Sequence, residues 1–124
     1  MKPTLDESQP IFHQIAVMIM DDIVEGRLKE GEQVPSTNDL SRFYNINPAT
    51  ARKGLQSLVD SNIIYKQRGV GMFVNKGAMQ QLLDKRKEDF FSEYVEPLLQ
   101  EANRIHLSKS AIIEMITSEK GENK

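Results

Sequence analysis

The chain has 124 residues, no cysteine, 27% charged residues and a formal net charge of −2. That length suits one compact domain with an appendage, and the absence of cysteine excludes disulfides, thiolate nucleophiles and cysteine-ligated zinc while fitting a reducing compartment. No apolar run approaches the roughly 18 residues that span a bilayer, and the amino terminus lacks a basic start followed by an apolar stretch, so a cytoplasmic location with no membrane partner is expected.

Apolar residues at Ile11, Phe12, Ile15, Ala16, Ile19, Met20, Ile23 and Val24 recur at three-and-four spacing, which predicts an amphipathic helix over 11–25. Pro10 suits its first turn and Gly26 its end. Gly31 and Pro35 around Val34 predict a turn and one short extended stretch. Ser36 stands three residues ahead of Asp39, the pattern of a capping box, so a second helix should run from about Thr37 to Phe43 or Tyr44 and bury Leu40 and Phe43. Asn45 suits a positive φ, with Ile46 plugging the turn into the core. Asn47 as cap and Pro48 at the first helical position open a third helix. It buries Ala51, Leu55, Leu58 and Val59 on one side and leaves Thr50, Arg52, Lys53 and Gln56 on the other.

Strands are predicted over Ile63–Lys66 and Met72–Asn75, joined by the loop Gln67 to Gly71 as a hairpin, or wing. Gly77 marks a boundary. Beyond it, Met79, Leu82, Leu83, Phe90, Phe91, Tyr94, Val95, Leu98, Leu99, Ala102 and Ile105 keep helical spacing for about seven turns. Pro97 predicts a kink near Glu93 to Glu96, and Ser108 caps a last short helix carrying Ala111, Ile112, Met115 and Ile116. The predicted fold is mainly α with a small β-hairpin. A winged helix-turn-helix domain occupies residues 1–77, a helical dimerisation and effector segment 78–118, and a disordered tail 119–124.

Charge is unevenly placed. Residues 40–76 carry six basic residues, Arg42, Arg52, Lys53, Lys66, Arg68 and Lys76, against Asp60 alone, whereas residues 1–39 carry three basic residues against eight acids. A basic island on an acidic body coinciding with a helix-turn-helix and a Gly-rich hairpin predicts a DNA-docking surface. The third helix is the expected reader, with Ala49 and Thr50 at its amino end and Arg52 one turn on, suited either to a guanine edge or to a phosphate. Arg68 and Gly69 at the hairpin tip, with Lys66 beside them, suit a narrow minor groove or its phosphates. The bland alternative for each cation is a solvated surface charge. Gly69-Val70-Gly71 is no nucleotide loop, because such loops pass from a strand into a helix.

His13 and His106 have no second ligand at metal spacing, no triad can be read from the chain, and neither metal, cofactor nor catalysis is expected. The apolar run after Gly77 needs cover, either from intramolecular packing or from a second copy of the chain; a homodimer is expected, with Leu83, Phe90, Phe91, Tyr94, Leu98, Ile112 and Met115 at its interface. Two identical heads would match a palindromic operator. An effector of unnamed chemistry, held between the long helix and the winged domain, is slightly preferred over plain interface packing.

Pro10-Ile11, Gln14-Ile15, Ile23, Gly26-Arg27-Leu28, Gly31, Val34-Pro35-Ser36, Leu40, Asn47-Pro48 with Thr50 and Arg52, Leu55, Leu58 and Gly69 to Val74 together resemble the GntR family of bacterial winged-helix regulators. The short remainder after residue 77 is similar to the small YtrA-like branch, as are Glu101-Ala102-Asn103-Arg104 and Leu107-Ser108. That resemblance implies a two-helix dimerisation region and repression of neighbouring transporter operons. With it the expected DNA-binding set is Ser36, Thr37, Asn38, Asn47, Ala49, Thr50, Arg52, Lys53, Lys66, Arg68 and Gly69. Asn38 and Pro48 stand where the family or other branches of it carry arginine, Gly54 replaces a common alanine, and His106 and Asn62 replace glycines. The competing function is a winged-helix protein-interaction module that uses its C-terminal helix.

Overall fold

The computed structural model describes residues 4–118, so the tail expected over 119–124 lies outside the described residues. The chain divides into two compact units after Asp84. In the first, α1 (Ile11–Val24), α2 (Thr37–Tyr44) and α3 (Pro48–Asp60) precede an antiparallel hairpin of β1 (Ile64–Gln67) and β2 (Gly71–Val74), and α4 (Ala78–Phe90) begins. Ile15, Ile19, Ile23, Leu40, Leu55, Ile64 and Val74 are fully buried, which joins the inward faces of all three helices and the hairpin in one core. Ala78 and Leu82 belong to that core too, so the unit extends past the boundary expected at Gly77.

Close approach of α1 and α3 explains Gly54. A Cβ there would lie 2.8 Å from the Phe12 carbonyl oxygen and 3.1 Å from Ile15 Cβ, closer than packed atoms tolerate. The glycine costs about 1 kcal/mol in helix propensity, and the crossing returns it through the side chains that it lets meet. The predicted burial of Ala51, Leu55 and Leu58 holds, with Val59 half-buried.

Phe43 departs from expectation. It is 55% exposed, because the next residue takes the inward direction: Tyr44 is half-buried and its hydroxyl donates to Met18 Sδ at 3.0 Å. The two rings meet edge to face at 4.9 Å, so Phe43 lies outside the core against its neighbour. Burial, and secondarily Asp22, pushes the Tyr44 phenol up from its ordinary pKa. Asn45 takes φ +56 as expected, and Ile46 is half-buried against the core.

The hairpin is shifted by one residue from its predicted bounds. Ile64 pairs with Val74 and Gln67 with Gly71, leaving Arg68–Val70 as the loop. The stretch before α2 forms a third lane on the outer edge of β2: Gly31 N–H donates to Val74 O, Val74 N–H to Glu32 O and Val34 N–H to Met72 O, each at 2.9 Å. Edge pairing of this kind removes the free donors of β2 from solvent.

The second unit holds the end of α4, a wide π-helical turn (Phe91–Val95), α5 (Glu96–Arg104) and α6 (Lys109–Thr117). The π-turn occupies the place of the predicted kink. Pro97 has no N–H and its ring would strike the carbonyl four residues back, so the ladder widens and Glu96 N–H bonds Phe91 O five residues earlier. His106 adopts φ +60 and closes α5, with Leu107 N–H on Ala102 O at 2.8 Å. Ser108 Oγ then accepts from Ala111 N–H and caps α6. Ile112, expected at an interface, is 8% exposed and lines the same hollow as Ala102 and Leu107. It is a core residue of its own unit, since it faces the angle between α5 and α6.

Candidate nucleic-acid interface

Three elements meet around one open hollow of about 400 Å³. Ser36, Thr37 and Asn38 approach it from the start of α2, Arg52 and Gln56 from α3, and Lys66, Gly69 and Val70 from the hairpin. Each arrives for a local reason. The capping box is fully formed, Asp39 N–H on Ser36 Oγ at 3.0 Å and Ser36 N–H on Asp39 Oδ2 at 3.1 Å. The box takes two of the leading amides of α2 and leaves those of Thr37 and Asn38 at the positive helix end. The Ser36 amide and hydroxyl, with Arg42 beyond them, hold the Asp39 carboxyl below its ordinary pKa.

Helix α3 opens on Asn47, whose Oδ1 accepts from Ala49 N–H at 2.8 Å. Asn47 therefore acts as a cap, and its side-chain oxygen is engaged within the helix start. Thr50 is half-buried, while Ala49, Arg52 and Lys53 are exposed. Arg52 projects into the hollow, and Gln56 follows it one turn later. Gln56 was absent from the expected contact set although its spacing from Arg52 puts both on one face. Its amide also donates to Asp60 at 2.9 Å.

Lys53 lies to the side. Its ammonium sits 4.2 Å from the centre of the Phe12 ring, a cation–π contact, in a flanking hollow shared with Ala49, Ser57 and Asp60. Sequence periodicity placed Lys53 on the exposed face and had no signal for Phe12, which comes from α1. Arg52 borders both hollows. Among the described residues, Arg52, Lys66 and Arg68 form no salt bridge, whereas Arg27, Arg42 and Arg104 are paired with acids. Cations left unpaired beside polar amides make a surface suited to polyanions.

At the wing tip Gly69 has φ +79, a conformation that favours glycine, and Val70 N–H closes the turn on Gln67 O at 2.9 Å. Tyr65 and Phe73 stack across the strands with ring centres 5.7 Å apart, which stiffens the hairpin behind the tip. Arg68 stands in the loop and does not line the hollow. The geometry thus gathers Ser36, Thr37, Asn38, Arg52, Lys66 and Gly69 at one place, with Lys53 and Arg68 outside it and Asn47 committed to its cap.

The bacterial regulatory proteins, gntR family, match residues 12–74, from α1 to the end of β2. The chain belongs to that family. It is 27% identical to the uncharacterized HTH-type transcriptional regulator YhcF of Bacillus subtilis over 109 residues, 88% of each protein. It is 30% identical to the HTH-type transcriptional repressor YtrA of the same organism over 77 residues, 62% of this chain and 59% of that one. The chain spans about a third of the length of other curated relatives that it matches. Among solved structures, a GntR family transcriptional regulator from Listeria monocytogenes superposes with TM-score 0.71 at 26% identity, covering 90% of this chain and 96% of that one. AraR(DBD) in complex with operator ORX1 superposes with TM-score 0.51 at 27% identity, over 60% of this chain and 90% of that one.

Proposed function

We propose that this GntR-family chain is a sequence-specific DNA-binding transcriptional regulator, a non-enzymatic repressor that occupies a palindromic operator as a homodimer in the cytoplasm. The observation that carries this reading is the convergence of unpaired Arg52 and Lys66 with the amino end of α2 around one hollow. The likeness to the YtrA repressor and to an operator-bound DNA-binding fragment supports it. In this reading α3 enters the major groove with Ala49, Thr50 and Arg52 leading, and Gln56 extends the contact. The amides of Thr37 and Asn38 bond a phosphate, with Ser36 holding that helix end in place. Lys66, Arg68 and Gly69 place the wing against the adjacent groove or its backbone. Lys53 contributes long-range attraction from its seat over Phe12. Asn38 stands in for the arginine common at its position, so its amide makes one neutral hydrogen bond where other members use a charge.

Homodimerisation would cover the apolar side chains of the C-terminal unit, with Phe90, Phe91, Tyr94, Leu98 and Met115 exposed on it; Leu83, half-buried, belongs to the part of α4 in the first unit. A hollow of about 560 Å³ in that unit, lined by Phe91, Leu99, Ala102 and Ile112 with Gln100 and Asn103 at its edge, has the size and mixed lining for a small effector. Regulation of a neighbouring transporter operon follows from the YtrA-like resemblance. Footprinting of the purified protein on genomic DNA tests the reading. Two symmetric half-sites about one helical turn apart are expected; protected fragments without two-fold symmetry would refute the dimeric head pair, and no protection at all would refute the regulator.

A further inference from the structure

Gln33 precedes the cap of α2 and plays no part in the hollow, yet its side chain crosses to the wing. Its amide Nε2 donates to the Val70 carbonyl at 3.2 Å, joining residues 37 positions apart in the chain. Three further observations show that the contact is built into the fold. Gln33 forms a β-bridge with Phe73. The flanking bonds Val34 N–H to Met72 O and Val74 N–H to Glu32 O fix its backbone against β2. Gly71 has φ +147, and a Cβ there would fall 2.3 Å from Gln33 Nε2. The hairpin therefore carries a glycine where the glutamine amide passes over it, and any larger residue would displace that amide.

Without this contact the pairing with β1 would end at Gly71 and the edge bonds from the segment before α2 would hold β2 only from Met72 onward. The loop Arg68–Val70 projects beyond the paired strands, and in a two-stranded hairpin such a tip swings easily. Gln33 reaches past the last paired position and grips the loop carbonyl itself. We propose that Gln33 is a positioning residue for DNA recognition: it sets the angle of the wing tip, and hence of Arg68 and Gly69, relative to α3. The proposal rests on the regulator reading above, and it adds a specificity-determining part outside the helix-turn-helix. Because Val34, Pro35 and Ser36 follow Gln33, the segment that tethers the wing also leads into the helix end that meets the phosphate. One extended strand thus fixes two contact elements relative to each other.

Gln33→Met keeps the volume and removes the donor. The test uses the full chain and a duplex that the unmodified protein selects from a random-sequence pool. A hydrogen bond on the protein surface is worth the lower end of the usual range, so Gln33→Met should weaken binding about three-fold. Its sharper signature is loss of coupling: Arg68→Ala should weaken the unmodified chain markedly and the Gln33→Met chain far less. In the free protein, backbone order parameters at Gly69 and Val70 should fall while those of α3 stay constant and the melting temperature is unchanged. Gln33→Lys, which restores a donor of similar reach, should recover the Arg68 dependence. Full Arg68 dependence together with an unaltered wing tip in Gln33→Met would overturn the tether while leaving the regulator reading intact. Failure of the unmodified chain to select any duplex would overturn that reading and the role of Gln33 in recognition with it.

Discussion

The two units of this chain treat the same kinds of side chain in opposite ways. In the first, Ile15, Leu40 and Leu55 have no exposed surface, and α2 and α3 open on the side-chain caps of Ser36 and Asn47. In the second, Tyr94 is 64% exposed and Ile116 67%, while only Ala102 and Ile112 are buried among its described residues. The difference teaches that apolar spacing specifies a helix in both places, whereas burial depends on what is available to cover it. The winged unit contains its own cover. The helices after Asp84 present an apolar surface of the kind that associating proteins carry.

Perturbing the two cores should separate them most strongly. Leu55→Ala is expected to lower the stability of the winged unit by about 3 kcal/mol in urea unfolding, whereas Ile116→Ala, already solvated, should change it by less than about 0.5 kcal/mol in dilute solution. Equal losses would erase the contrast. Next in size is association: the unmodified chain should sediment as a concentration-dependent dimer, and Tyr94→Asp should shift it to monomer by at least about ten-fold in dissociation constant, the effect of burying an unpaired charge at an interface. A monomer at all concentrations would show that the exposed face is not self-complementary.

Gly54→Ala sharpens the account of the sealed core. The added methyl must displace the Phe12 carbonyl or Ile15, a strain of about 1–3 kcal/mol, partly offset by better helix propensity. Thermal melting should report a net loss. Ser36→Ala should cost about 1 kcal/mol by removing the α2 cap. The smallest effect is in pH. Because the Asp39 carboxyl is held below its ordinary 3.8, its ionised form favours the folded state above that value, and the contribution is lost as pH falls through the lower folded pKa. Asp39→Asn should therefore show a slightly flatter acid limb in stability against pH.

Much of this architecture was legible because it is local. Ser36 and Asp39, Asn47 and Pro48, Asn45 and Ser108 announce helix ends through short-range bonds, and all four sites behave as their chemistry dictates. Pro97 foretold an interruption, though not that the ladder would widen into a π-turn rather than break. What escaped were contacts between distant segments. Phe43 and Tyr44 are adjacent and aromatic, and it is Tyr44 that turns inward, onto the core and Met18. Periodicity assigned Lys53 to the exposed face, where it lies, and gave no sign that its ammonium would rest over the Phe12 ring. Gln33 carried no motif at all; its meaning comes from Gly71, 38 positions later in the chain. The site was legible as charge and helix phase, and illegible wherever a second element had to be brought alongside.

The most direct test of the converging surface is the salt dependence of duplex binding by the unmodified chain and by the double variant Arg52→Ala, Lys66→Ala. Each phosphate contact contributes about 0.9 to the slope of log affinity against log salt concentration. The account predicts weaker binding and a slope shallower by between one and two for the double variant, with its fold intact by circular dichroism. Unchanged affinity and slope would contradict it, because the two cations would then not meet the nucleic acid.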